Sequence, residues 1–118
     1  MKTNDSEDET DGPTIKWDKS VRKEMGAIPA AVQQEFQVSL EMVLLGLRPA
    51  MRHEKLKSAG AGVIELKRNG SPAYRCMYVV DKKGNVVVLH VASKTMQGQD
   101  KQLVKTTSQR RKRLAKDG

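Results

Sequence analysis

"GVIELKRNGSPAYRCMYVV", residues 62–80, reads as two strands joined by a turn. Apolar and polar residues alternate through each half. The intervening "RNGSP" is built from residues that favour a chain reversal. Period-two alternation sends Glu65 and Lys67 to one face of the first strand, with Ile64 and Leu66 on the other. In the second strand Arg75 and Met77 share a face, and Tyr74, Cys76 and Tyr78 share the opposite one. If Ile64, Leu66, Tyr74 and Cys76 meet a helical layer, Lys67 and Arg75 line a face that the helices leave uncovered.

Working outward, "DKKGN" (81–85) is a second turn and "VVVLHV" (86–91) a third strand. Its weak alternation places it inside the sheet rather than at an edge. Tight turns between short strands imply an antiparallel meander. Upstream, "TIKW" (14–17) is a short candidate strand and "DKSVRKEMGAI" (18–28) a helix that opens on a capping aspartate. Pro29 suits the first turn of the next helix. Ala31, Val32, Phe36, Leu40, Val43, Leu44 and Leu47 then recur at three and four residues, a helical stripe ending near Gly46 and Pro49. The connector 48–62 allows a short strand at "EKL" (54–56). Residues 99–118 are helix-prone and carry seven lysines and arginines. The expected fold is α+β: two N-terminal helices packed on one face of a small antiparallel sheet, with a basic C-terminal helix.

The 118 residues suffice for one domain. Residues 1–13 read as a flexible acidic tail and 14–118 as the folded unit. Formal net charge is +8. Residues 1–14 hold five acids against one lysine, about −4, which leaves about +12 on the remainder. A field of that sign attracts polyanions, nucleic acid above all. With aromatics at 3%, stacking platforms for bases are not expected. Cys76 is the single cysteine, so an intramolecular disulfide and a thiolate zinc cluster are both excluded. Within an apolar run it reads as a small buried hydrophobe. No stretch of about 18 apolar residues suggests a membrane span, and the acidic start lacks the order of a signal peptide, so the cytoplasm is the expected compartment.

Phosphate-loop and dinucleotide-binding glycine motifs are missing, as is HExxH. His53 and His90, the two histidines, lie far apart in sequence. No cofactor and no metal are called for. What remains is a set of basic side chains on a sheet. An arginine offers a planar fork to two phosphate oxygens. Cations around a phosphodiester also favour attack by the adjacent ribose 2′-hydroxyl, because the pentacovalent species is more negative than the ground state. One such donor is worth about 3 kcal/mol.

The order of elements and three short stretches resemble the RelE/HigB-type bacterial toxins of type II toxin–antitoxin systems, in particular the phage-derived branch. The carriers are "IKWDKSVRKEMGAIPAAVQQEF" (15–36), "GVIELKRNGSPAYRCMYVV" and "VVVLHVASKT" (86–95), and the likeness covers roughly residues 14–115. It implies a RelE-like fold and a ribosome-dependent mRNA endoribonuclease that inhibits translation. It also implies the ribosome and mRNA as targets, and a cognate antitoxin, of helix-turn-helix type, as partner. By position in the motifs, Arg75 would stabilise the scissile phosphate. Lys94 would be a second phosphate contact or proton-transfer group, and Lys67 a further basic contact. Tyr78 and His90 match positions near the site, and Arg110 and Arg111 are the backbone-binding candidates of the basic tail. Ala92 and Thr95 stand where the family has a phenylalanine and a second lysine. Two alternatives stay open: a same-fold toxin that inhibits a protein target such as gyrase, as ParE-like relatives do, and a non-catalytic basic nucleic-acid-binding module.

Overall fold

The computed structural model describes residues 12–94 and 100–117. Most of the expected acidic tail therefore lies outside the described residues. The chain runs β1 (Ile15–Lys16), α1 (Lys19–Gly26), α2 (Ala30–Leu44), β2 (Arg52–Lys55), a 3-10 turn (Lys57–Ala59), β3 (Ile64–Arg68), β4 (Ala73–Val80), β5 (Val86–Lys94) and α3 (Lys101–Asp117).

Helix α1 starts where the sequence says it should. Asp18 has extended backbone angles, and its Oδ1 accepts the Val21 N–H at 2.9 Å. That satisfies one of the donors every helix start leaves open. Helix α2 begins one residue later than the proline reading placed it: Pro29 is the N-cap and Ala30 the first helical residue. Its apolar stripe buries Val32, Phe36 and Leu40, with Phe36 and Leu40 fully enclosed. The helix ends in a Schellman turn. Gly46 has φ +81°, its N–H reaches the Val43 carbonyl, and the Leu47 N–H reaches that of Met42. A side chain at that φ would be strained, which explains the glycine.

The five strands form one sheet in the order β1–β5–β4–β3–β2. Pairing from β5 to β2 is antiparallel, as expected, but β1 runs parallel to β5 through Ile15 and Val86. The sheet is therefore mixed. Asn85 fixes this pairing, because its Oδ1 accepts the Thr14 N–H at 2.9 Å. The short strand in the connector is real and begins two residues earlier than "EKL". It forms the edge opposite β1. Strand β5 is interior, with Val86 to Leu89 buried. Between Met77↔His90 and Tyr78↔Val88 its register shifts, leaving Leu89 as the extra residue of a bulge.

The main correction concerns the faces. Leu66, Cys76, Tyr78 and Val88 pack against α1 and α2, as alternation requires. The other face is not open. Met77, Val79, Val87 and Leu89 form a second core with Leu103 of α3 and with Ala59 and Val63. The C-terminal helix is thus a structural layer, and the molecule is a helix–sheet–helix sandwich.

Candidate phosphate-binding cavity

Beside the N-terminal turn of α3 the second core stops and polar side chains take over. The pairings Arg52↔Lys67 and Lys67↔Arg75 align β2, β3 and β4, while Arg75↔Ala92 and Ala73↔Lys94 add β5. Period-two alternation then puts Glu65, Lys67, Arg75 and Lys94 on one face. A cavity of about 310 Å³ opens there, lined by Glu54, Glu65, Lys67, Lys94 and Asp100 with an apolar wall of Leu56, Leu103 and Val104. The structure thus brings Lys67 and Lys94 together, with Arg75 in the strand between them.

The acids in this cavity were not singled out from sequence. Glu54 accepts a hydrogen bond from Lys67 Nζ, which holds its carboxyl below the ordinary range. Asp100 caps α3, with Oδ1 accepting the Leu103 N–H at 3.0 Å. Glu65 differs from both. Its side chain is 9% exposed, its Oε2 lies 3.4 Å from Arg75 Nε, and burial pushes its carboxyl pKa up despite the cations of Lys67, Arg75 and Lys94. Its signal was legible: it stands two residues from Lys67 and therefore shares its face.

Arg75 is not the open cation the sequence suggested. It is 6% exposed. Nη1 donates to the Tyr74 carbonyl at 3.0 Å and Nη2 to Asn69 Oδ1 in the β3–β4 turn at 3.2 Å. Nε faces Glu65 but makes no hydrogen bond. The physical reason is α3. A helix laid over this face excludes water from the strand centre, and a guanidinium there survives only beside a counter-charge.

The remaining candidates lie elsewhere. Tyr78 points to the α1–α2 core, and burial pushes its hydroxyl up to about 12. Cys76 is fully buried in the same core, and burial raises its thiol pKa as well. His90 and Arg110 meet at the outer edge of β5. Glu24 of α1 accepts Arg110 Nη1 and Nη2, both at 2.9 Å, and its Oε1 also takes the Val91 N–H at 3.1 Å. His90 Nδ1 lies 3.0 Å from the same oxygen. Burial raises the Glu24 pKa, but these bonds outweigh it and hold the carboxyl below its ordinary range. Arg110 also donates to the Leu89 carbonyl at 3.0 Å. The cluster fastens α3 to α1 across the sheet edge. Arg111 Nε donates to the Ala61 carbonyl at 3.1 Å, bracing α3 on the loop beyond the 3-10 turn.

Three solved structures share this architecture. The isolated RelE toxin of E. coli matches with a TM-score of 0.53 and 20% identity over 87% of this chain and 99% of that one. A chain of the intact E. coli RelBE toxin–antitoxin complex matches at 0.51 and 20% identity, over 73% and 100%. A chain of the RelBE2 toxin–antitoxin complex of Mycobacterium tuberculosis matches at 0.50 and 21% identity, over 70% and 99%. The fold is that of the RelE-type toxins. No curated protein matches the sequence. The chain belongs to the family described as phage derived protein Gp49-like (DUF891), whose match spans residues 23–112. Among the described residues no helix is long and apolar enough to cross a membrane.

Proposed function

We propose that this protein is the toxin of a toxin–antitoxin pair and cleaves messenger RNA on the ribosome without a metal cofactor. The observation that carries the reading is the convergence of Lys67 from β3 and Lys94 from β5 on one cavity of about 310 Å³. Two ammonium groups there suit the non-bridging oxygens of a single phosphodiester. They would stabilise the extra negative charge that develops as the 2′-hydroxyl attacks phosphorus. The basic outer surface of α3 would supply attraction along the rest of the backbone. Neighbours in this fold include toxin–antitoxin complexes, which supports a protein antitoxin as the partner of this chain. Arg75 takes a changed part: it is paired with Glu65, which lines the cavity, and would act on the phosphate through its field and through that glutamate rather than by a direct fork.

The test is expression in cells and in a translation reaction, with mapping of messenger RNA ends. Lys67→Ala and Lys94→Ala should each slow cleavage about 10²–10³-fold, the loss typical of one oxyanion donor. One observation favours the rival reading of a toxin that inhibits a protein target: the motif's arginine is spent on a buried ion pair. Growth arrest with intact messenger RNA and trapped DNA breaks would establish that rival and end the nuclease reading.

A further inference from the structure

We infer that Glu65 receives the ribose 2′-hydroxyl in this cavity, so that one carboxylate serves as general base and as the group that selects RNA over DNA. The inference rests on the nuclease reading above and names the residue that starts its chemistry.

Glu65 is a buried carboxylate that lines a cavity and accepts no hydrogen bond from any described residue. Among the described residues its ion-pair partner is Arg75, with Nε at 3.4 Å, and that nitrogen is itself without a hydrogen bond. Buried polar groups are nearly always paired, so the bare Arg75 Nε beside this carboxylate asks for an explanation. A carboxylate in this position wants a hydroxyl donor. The lysines beside it want anionic oxygens. A ligand that offers both a few bonds apart is a ribonucleotide, whose 2′-hydroxyl is adjacent to the 3′-phosphodiester. A deoxyribonucleotide brings the phosphate and leaves the carboxylate unanswered, which is a costly mismatch in a desolvated site.

The other acids around the cavity are less suited. Glu54 is an exposed carboxylate bound by Lys67, and Asp100 is spent on capping α3. The charged groups facing Glu65 are Glu54 from β2, Lys67 from its own strand, Arg75 from β4, Lys94 from β5 and Asp100 from α3. Burial outweighs the three cations and leaves the Glu65 carboxyl more basic than an ordinary glutamate, the direction a base requires.

The step balances without an added reactant. Glu65 takes the 2′-O–H proton while the O2′–P bond forms. The P–O5′ bond breaks, and the leaving O5′ takes a proton from the Lys94 ammonium. The products are a 2′,3′-cyclic phosphate and a 5′-hydroxyl. Water then returns the proton from Glu65 to Lys94.

The experiment measures single-turnover cleavage of messenger RNA on programmed ribosomes against pH, for the full chain and for Glu65→Gln and Glu65→Asp. The wild type should show an acid limb placed above the ordinary carboxylate range. Glu65→Gln should lose about 10²–10⁴-fold in rate, the usual worth of a general base, lose that limb, and bind a substrate analogue with 2′-deoxyribose at the cut site more tightly than the wild type does. Glu65→Asp should keep the limb and lose at least about tenfold, because the carboxylate is set back by one methylene. If Glu65→Gln cuts at the wild-type rate with an unchanged profile, the inference is overturned and the nuclease reading stands. If the wild type leaves RNA uncut, both fall. Should Glu65→Gln prove unfolded by melting, Glu65→Asp decides: an undiminished rate overturns the assignment.

Discussion

Two arginine–glutamate pairs, one joining α3 to α1 and the other joining β4 to β3, are built to opposite standards. At the β5 edge, Arg110 grips Glu24 with two hydrogen bonds of 2.9 Å, and the Val91 N–H completes the acceptor shell. In the cavity, Arg75 meets Glu65 through one contact of 3.4 Å that is not a hydrogen bond. The first pair satisfies its atoms and does structural work. The second leaves capacity unused where a ligand can reach it. Charge at a site of recognition differs from charge in a scaffold by what is left over, and that remainder is visible in hydrogen-bond accounting long before any ligand is seen.

The contrast can be broken by removing one arginine at a time. Arg75→Ala takes the ion-pair partner from the buried Glu65 carboxylate and should cost about 3–5 kcal/mol in thermal or urea unfolding. Glu24→Ala should cost less, about 2–3 kcal/mol, because Arg110 and His90 retain some access to water.

Double replacement sharpens the difference. Changing Arg75 to Met with Glu65 to Leu should restore most of the stability lost in Arg75→Ala, since no backbone group depends on that contact except the Tyr74 carbonyl. Changing Glu24 and Arg110 together to apolar residues should restore little, because the Val91 N–H and the Leu89 carbonyl lose their partners. Equal recovery in both doubles would abolish the distinction.

Acid separates the pairs by sign. The folded-state pKa of Glu24 is depressed, so its contribution is present above the unfolded value and is lost as pH falls through the folded one. That of Glu65 is raised, so its ionisation weakens the fold as pH rises through the folded value. Unfolding of Glu24→Gln against pH should lack the first dependence, and that of Glu65→Gln the second. The smallest effect concerns the element that carries Glu24: Asp18→Ala removes the cap of α1 and should cost about 1 kcal/mol.

Much of the fold was legible because local patterns have local causes. Asp18, Gly46 and the stripe of Val32, Phe36 and Leu40 each announce a helix start, a helix end or a buried face. Alternation correctly opposed Arg75 to Tyr74, Cys76 and Tyr78. What escaped was long-range. Helix α3 shows few apolar residues among seven cations, so Leu103 and Leu114 did not advertise a face that packs on a sheet. The parallel docking of β1 depends on Asn85, seventy residues away. His90 and Arg110 looked like ligands for RNA because nothing in the order of residues brings Glu24 between them. Glu65 and Glu54 become neighbours only through strand register, which alternation alone does not supply.

The second core has a consequence for handling the molecule. Met77, Val79, Val87 and Leu89 are kept from water by the helix that also carries seven of the chain's 22 lysines and arginines. Clipping that segment would strip away much of the charge that keeps molecules apart and uncover an oily sheet surface in the same cut, so shortened versions should clump rather than merely lose affinity.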